Sequence, residues 1–286
     1  MKYLAKMRSY PAKLLLFGEH TVLVGSSSLA VPLPMYTMSW VEKMGDHPMW
    51  LRDYSAYLKE ACSDIIDITR YESWIDRYTI HGNIPIGYGL GSSGALTAAI
   101  YDICGSDNHH EDYDQHQSSM AKMESFFHGE SSGFDPLISY IGKPILRSSE
   151  GNIIGERDLY LGMSVGLIDS GKSRVGRDMI KSFRAAYTMN NEQFFPLISI
   201  NSEVSSDVFH QSTQDLTLRV RRISELQMEV MSFLITPEIS HIWKEGLKTD
   251  QYYMKICGAG GGGYYLVFAA DREVPSLEGT QISWIS

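Results

Sequence analysis

Cysteine is scarce in this chain, and the three that occur, Cys62, Cys104 and Cys257, are widely spaced and odd in number. This pattern excludes the disulfide framework that holds many small secreted domains together, and it offers no paired cysteine ligands for zinc. We therefore expect a protein suited to a reducing compartment.

Long apolar runs are also missing. No run approaches the roughly 20 apolar residues that a helix needs to span a bilayer. The first residues show a short basic start without the apolar core of a secretory signal peptide. We therefore predict a cytoplasmic protein that makes no contact with a membrane.

Positive charge is in deficit, with 25 lysines and arginines against 34 acidic residues and a net charge of -9. Proteins that bind nucleic acid in general rely on basic surface to neutralise phosphates, so we expect no nucleic-acid partner. If this chain binds an anion, backbone amides and a few cations must hold it locally. At 286 residues the chain can bury a sizeable core and form two closely joined lobes.

The main feature that is present is a glycine-rich stretch at residues 84–101, IPIGYGLGSSGALTAAIY. Its glycines allow left-handed backbone and close approach to a ligand, and Ser92 and Ser93 are candidate caps for the helix that the following small residues favour. Amides at such a helix start attract phosphate. The same stretch fits the pattern G-x-G-x-x-G from Gly89, and a second stretch fits it from Gly258. A dinucleotide-binding site is therefore an alternative interpretation.

Hydrophobic periodicity predicts the elements around this loop. We expect two strands bracketing Gly18-Glu19-His20, a strand at 29–41 that Pro32 and Pro34 place at an edge or bend, and further strands at 74–84, within 142–169, at 253–256 and at 264–269. The expected helices cover residues 50–69, 118–129, 175–187 and most of 190–249. The segment at 107–114, with His109 and His110, is expected to be a solvated loop.

Several polar residues stand in settings that favour two explanations. Lys13 lies inside an apolar strand, Glu124 lies on a helix, and Asp135 precedes a proline. Each has a plain structural explanation, as a charge facing water, an exposed helix charge and the N-cap of a new helix. Each could instead belong to a site, and these residues alone leave both explanations open.

Four segments in a fixed order resemble the GHMP small-molecule kinases. They read PAKLLLFGEHTVLVG, IPIGYGLGSSGA, AKMESFFHGESSGFD and KICGAGGGG, and they sample the chain from Pro11 to Gly263. Within this superfamily the Gly-Glu-His form of the first segment is most similar to the mevalonate kinases. Phosphomevalonate kinase and the diphosphomevalonate decarboxylase type are the alternatives.

The resemblance implies an α+β fold. The N-terminal ATP-binding domain, residues 1–150, would be similar to the second domain of ribosomal protein S5, and the C-terminal domain, residues 151–286, would be ferredoxin-like. It also implies transfer of the γ-phosphoryl group of ATP, with Mg²⁺, to the hydroxyl of a small carboxylated metabolite such as mevalonate. ATP and that metabolite are the expected partners, and a homodimer is one possible assembly.

The resemblance also implies roles for single residues. Asp135 would take the proton of the acceptor hydroxyl, and Lys13 beside it would keep Asp135 ionised and neutralise the transferring group. Ser93 and Glu124 would hold Mg²⁺ through oxygen. The ATP loop would comprise Gly87, Gly89, Leu90, Gly91, Ser92, Ser93 and Gly94, and the substrate-binding residues would be Glu19, His20, Ser170, Gly260 and Gly261.

Two departures and two alternatives accompany this interpretation. Gly94 replaces the alanine usual in the family, and the turn after Asp169 lacks the Ser-Thr-Lys run commonly seen there. An NAD-binding oxidoreductase is the alternative that the two G-x-G-x-x-G matches motivate. A non-catalytic ligand sensor on the kinase fold is the other, and the presence of Lys13, Glu124 and Asp135 argues against it.

Overall fold

A computed structural model describes residues 7–106, 112–173, 176–212, 214–277 and 279–285, and His109 and His110 of the predicted loop lie outside them. The fold is mixed α and β. The strands are β1 (Ser9–Phe17), β2 (Ser28–Glu42), β3 (Tyr78–Gly82), β4 (Ile145–Arg147), β5 (Ile153–Glu156), β6 (Ser164–Asp169), β7 (Tyr252–Ile256), β8 (Tyr264–Ala269) and β9 (Ile282–Trp284). The helices are α1 (Met49–Ala61), α2 (Ile68–Ile75), α3 (Ser92–Cys104), α4 (Tyr113–His128), α5 (Phe134–Ile141), α6 (Gly176–Met189), α7 (Phe195–His210), α8 (Leu216–Val230) and α9 (Pro237–Thr249).

The first of two compact units comprises the chain up to Lys13, Pro32–Pro85 and Gly91–Lys143. Helix α3 is its central element, because every residue from Gly94 to Tyr101 is buried and the helix contacts α2, α4 and α5. The small side chains of this run let neighbouring helices approach on several sides, as expected for a helix that is apolar all round.

The second unit comprises Leu14–Val31, Ile86–Leu90 and the chain from Pro144 onward. Its antiparallel sheet has the strand order β7-β8-β6-β9, with Ser164 of β6 and Tyr252 of β7 both opposite Ala269 of β8. All residues of β7 and β8 are buried, and α8 and α9 contact β7. The hairpin strands and the helices predicted after residue 190 are confirmed.

The other sheet has the order β1-β2-β4-β5, with β3 also paired to β2. Strand β2 pairs with β4 through Ser28–Ala30 and with β3 through Met38–Glu42. Pro32 and Pro34 lie between these two pairings, so their missing amides interrupt neither. Of the two predicted alternatives, an edge or a bend, the edge is wrong, because β2 has three partner strands.

Two other predicted elements are also wrong. The residues after Gly18-Glu19-His20 form a short 3-10 helix, Thr21–Val24, instead of a strand, because Gly18 and His20 turn the chain with φ angles of 102° and 59°. The helix predicted over residues 50–69 is divided between α1 and α2. The second helix has its own start, where the Asp67 side chain accepts a hydrogen bond from the Arg70 amide.

Cys62, Cys104 and Cys257 are buried free thiols. Within the described ranges, no helix combines the length and the apolar character that crossing a bilayer requires. The division at residue 150 and the likeness of each domain to S5 or to ferredoxin stay predictions, since compactness alone does not define family domains.

Candidate active site

Lys13 and Asp135 form an ion pair in the first unit. Lys13 lies on β1 and Asp135 in the first turn of α5, and Lys13 Nζ is 3.0 Å from Asp135 Oδ1. The lysine side chain is 10% exposed and the aspartate side chain 33%. The lysine of this apolar strand therefore does not face water, and the carboxylate keeps the access to solutes that a general base needs.

The prediction that Asp135 caps its helix is wrong. Helix α5 begins at Phe134, and Gly133 occupies the N-cap position in the left-handed conformation, with φ 69°. Asp135 is therefore a residue of the first turn, and its carboxylate pairs with Lys13.

Glu124 of α4 is buried, and its carboxylate accepts hydrogen bonds from two hydroxyl groups. Ser93 Oγ donates to Oε1 at 2.8 Å, and Ser131 Oγ donates to Oε2. The prediction that Ser92 or Ser93 caps α3 is wrong, because Gly91 holds the N-cap position with φ 71° and both serines are helical. Ser131 was missed, although its place in the polar GESSG segment was a signal.

Burial raises the pKa of Glu124 to about 7, and the negative charge of Asp135 adds to this shift. The hydroxyl groups of Ser131 and Ser93 and the ammonium group of Lys13 act in the opposite direction. A carboxylate in this setting gains from a nearby cation, because a positive charge stabilises its ionised form.

The donor set around Glu124 fits one type of metal ion. Among the described residues, no three His, Cys, Asp or Glu side chains are grouped as metal ligands. Ser93 and Glu124 offer oxygen, and Mg²⁺ commonly takes only one or two protein carboxylates, with water and substrate phosphates completing its shell. The pair therefore fits Mg²⁺ that arrives with a nucleotide.

Two glycines bring the start of α3 against the ion pair. A Cβ on Gly94 would lie 2.8 Å from Pro136 N and 3.0 Å from Asp135 Cβ, closer than ordinary contacts. A Cβ on Gly91 would lie 3.0 Å from Lys13 Cγ. The glycine that replaces the family's alanine is therefore explained by the close approach of α3 to α5.

The remaining residues of the predicted ATP loop belong to the second unit. Gly87 and Gly89 have φ angles of 82° and 77°, so the expected left-handed backbone is confirmed at both. Leu90 is buried, and the ring of Tyr88 packs against Tyr264 with centroids 5.1 Å apart. Residues 86–90 are thereby fixed to the first residue of β8.

The predicted substrate-binding residues lie where three turns of the second unit meet. The amide of Gly263 donates to Lys172 O at 2.6 Å, and the amide of Ser170 donates to Gly263 O at 3.0 Å. His20 Nε2 lies 2.9 Å from Ala259 O. The structure thus brings Glu19, His20, Ser170, Gly260 and Gly261 together around the glycine turn 257–263.

Glu19 has no exposed surface and forms an ion pair with Lys255 of β7, which is equally buried. Lys255 was missed in the sequence. The signal was available, because a lysine within the apolar strand YYMKI stands in the same setting as Lys13 in β1.

A phosphate-binding pattern outside the predictions also occurs. Residues 166–173 read GLIDSGKS, which fits the Walker A form G-x-x-x-x-G-K-[ST]. Gly166 to Asp169 belong to β6 and pair with β8, and Lys172 Nζ pairs with Glu238. Half of the pattern is therefore strand instead of phosphate loop, and we assign it no site.

The dinucleotide alternative lacks its structural context. The glycine turn 257–263 is followed by strand β8 instead of a helix, and β3, the strand before the first glycine loop, pairs antiparallel with β2. The dinucleotide fingerprint requires a parallel strand-helix-strand unit. Neither match therefore supports an NAD site.

Comparison with solved structures gives the class of the fold. The structure of the Leishmania major mevalonate kinase in complex with R-mevalonate matches 99% of this chain and 96% of its own, with a TM-score of 0.66 at 14% identity. A Streptococcus pneumoniae phosphomevalonate kinase in complex with phosphomevalonate and AMPPNP matches 96% and 95%, with a TM-score of 0.69 at 14% identity. The chain has the fold of these kinases.

Sequence comparison then shows what the chain is similar to. Residues 56–143 match the model of the GHMP kinases N terminal domain. The mevalonate kinases of Thermococcus onnurineus and Pyrococcus furiosus are 24% and 25% identical over 93% of this chain and over 90% and 89% of their own. The predicted resemblance to the GHMP kinase superfamily, and within it to mevalonate kinase, is confirmed, and the roles of single residues stay predictions.

Proposed function

We propose that this protein is an ATP-dependent kinase that transfers the γ-phosphoryl group to the hydroxyl of mevalonate. The observation that carries the proposal is the pair of Lys13 and Asp135, 3.0 Å apart, beside the buried carboxylate of Glu124. The similarity to mevalonate kinases over most of the chain supports the choice of acceptor.

In this mechanism Asp135 accepts the proton of the acceptor hydroxyl while the oxygen of that hydroxyl attacks the γ-phosphorus of ATP. The new oxygen–phosphorus bond forms while the bond to the leaving ADP oxygen breaks. Lys13 offsets negative charge on the transferring group, and the backbone amides at the start of α3 attract phosphate. Positioning and charge neutralisation are most of what such a transfer requires.

Ser93 and Glu124 would hold Mg²⁺, for which their oxygen atoms are suited. When bound, the ion supplies positive charge to the nucleotide phosphates. Its binding also favours the ionised form of Glu124, which burial disfavours.

His20, Ser170, Gly260 and Gly261 are proposed to recognise the acceptor. Their support is that the second unit gathers them around one glycine turn. Phosphomevalonate is the second candidate acceptor, because a phosphomevalonate kinase shares the fold. The cytoplasmic location and the homodimer stay predictions.

The test is ADP release from ATP and Mg²⁺ with mevalonate, phosphomevalonate or diphosphomevalonate as acceptor. We expect turnover with mevalonate, and Asp135→Asn should lower kcat by about 10²–10⁴ while ATP binding is retained. Asp64→Asn is the matched control, because Asp64 also pairs with a lysine, Lys122 at 2.8 Å, but on the surface. Absence of turnover with every acceptor, or equal turnover in wild type and Asp135→Asn, would contradict the proposal.

A further inference from the structure

We propose that Glu19 and Lys255 form a buried positioning pair, which fixes His20 and the glycine turn 257–263 for the acceptor without touching it. The inference rests on the proposed kinase function. It gives Glu19 an indirect role in place of the direct substrate contact predicted from the sequence, and it assigns a role to Lys255.

Burial decides between direct and indirect action. Both side chains have no exposed surface. Lys255 Nζ also donates to Ile256 O at 3.0 Å and lies 5.9 Å from the centroid of the Phe17 ring, which stacks on Phe268. A charged pair enclosed by strands and aromatic rings is out of reach of a dissolved metabolite, so it can affect binding only through the residues it holds.

The pair holds a strained turn. His20 follows Glu19 directly and has φ 59° with ψ -43°, a positive-φ backbone that is unfavourable for a non-glycine residue unless its surroundings enforce it. Two adjacent contacts enforce it here, since Glu19 pairs with Lys255 while His20 Nε2 lies 2.9 Å from Ala259 O. The His20 ring also packs on Phe183, with centroids 4.8 Å apart.

The glycine turn is anchored on its other sides as well. Leu234 O accepts hydrogen bonds from the Gly261 amide at 2.6 Å and from the Tyr265 hydroxyl at 3.0 Å. A Cβ on Gly261 would lie 2.2 Å from Met179 Sδ. With these contacts in place, the ion pair acts together with the His20–Ala259 contact to set the position of the turn relative to His20.

General energetics favour a positioning role over a stabilising one. A buried ion pair often contributes little net stability, because desolvation of two charges offsets their attraction. Replacing both members by apolar residues of similar size is often neutral, whereas removing one member leaves a buried charge and destabilises strongly. An experiment can therefore separate the effect of the ion pair on protein stability from its effect on the position of His20 and the glycine turn.

The experiment compares Lys255→Met, the double variant Glu19→Met/Lys255→Met and wild type, with melting temperature and steady-state kinetics as readouts. We expect Lys255→Met to lower Tm by roughly 5–10 °C. The double variant should regain most of that loss, while its KM for the acceptor rises at least about tenfold and its KM for ATP stays near the wild-type value. Glu245→Met/Lys248→Met makes the same change in an exposed pair of α9 and should alter none of these values.

Three outcomes are separable. A double variant that regains both Tm and acceptor KM shows a merely structural pair and overturns the inference. If the double variant does not fold, Glu19→Asp replaces it, because this change keeps the charge but shortens the side chain. An unchanged KM for the acceptor in Glu19→Asp would likewise overturn the inference. Lack of turnover in wild type removes the proposed function itself, and this inference with it, before any variant is compared.

Discussion

At the scale of the residue, the first unit separates two carboxylates by environment. Asp135 is one-third exposed beside a cation, whereas Glu124 is buried among hydroxyl groups and has its pKa raised to about 7. Neighbouring titratable groups with different environments are how active sites assign different tasks to similar side chains. Here the exposed one suits proton transfer and the buried one suits cation binding.

Glu124 makes the protein's stability depend on pH in a direction that can be predicted. Its folded pKa lies above the unfolded value, so its contribution is most favourable below about pH 4.5 and is lost as pH rises through about 7. Glu124→Gln removes the buried charge, so it should raise Tm at pH 8 by a few degrees and have little effect at pH 5. Thermal unfolding of the ligand-free protein at both pH values measures this.

Glu124→Gln should also abolish the proposed phosphoryl transfer from ATP in the presence of Mg²⁺. Glu130→Gln is the control, because Glu130 is exposed and lies near the end of α4. Asp112→Asn would be unsuitable, because Asp112 caps that helix. A Glu124→Gln protein that is less stable than wild type at pH 8 would contradict the prediction about stability.

Much of the candidate site was predictable at this scale, for reasons of composition. A lysine in an apolar strand, a glutamate on a helix and an aspartate before a proline are visible in one sequence. The interactions of these residues were not visible in it. Ser92, Ser93 and Asp135 are residue types that favour helix caps. Only the structure shows that left-handed glycines at 91 and 133 already occupy the capping positions. Lys255 shows the same signal as Lys13 but was missed, and its pairing with Glu19, 236 positions earlier, was not visible in the sequence.

At the scale of the element, α3 defines the first unit. Its buried run starts at Gly94, where the helix lies against Asp135 and Pro136 at the start of α5. The helix thus links core packing to the position of the proposed catalytic base, since a shift of α3 is transmitted to α5 by direct contact.

Gly94→Ala tests this link. The added methyl group would approach Pro136 N and Asp135 Cβ within 3.0 Å, so the two helices must move apart at a cost of about 1–3 kcal/mol. We expect a lower Tm and a fall in kcat of at least about tenfold. Gly176→Ala in α6 is a control for stability, because among the described residues a Cβ at this position would have no neighbour closer than 3.8 Å. Wild-type kinetics in Gly94→Ala would show that α3 does not set the position of Asp135.

Element prediction succeeded where periodicity was long and failed where turns intervened. Helices α7, α8 and α9 and the β7-β8 hairpin follow from pattern and proline position. The apolar residues after His20 have the composition of a strand, but the backbone at Gly18 and His20 directs them into a 3-10 helix. The three-residue strand β9 is too short to give a pattern, and its pairing with β6 is set by tertiary structure.

At the scale of the whole molecule, the chain passes several times between two units. Strand β1 begins in the first unit and continues into the second after Lys13, and the glycine loop changes unit after Leu90. The similarity to the Thermococcus and Pyrococcus enzymes covers both units. A fold by itself leaves function open, so the proposed kinase activity depends on the side chains that each unit gathers.

The shared strands predict that the two units unfold together. Cys62 and Cys104 report on the first unit and Cys257 on the second, and all three are buried. Burial also raises the pKa of Cys62 to about 11 and of Cys104 to about 12, so thiolate is scarce at pH 8. We expect slow alkylation of the native protein and, along a urea titration, labelling of all three at one midpoint, as peptide mass spectrometry would show. Separate midpoints for Cys62 and Cys257 would contradict a single transition.

Shielded thiols also make this protein convenient for fluorescence work. A cysteine introduced at Met189, which is 87% exposed, would take a maleimide dye against a background of three slow native sites. No native cysteine would first have to be removed, so a dye could be placed at this position on an otherwise unaltered chain.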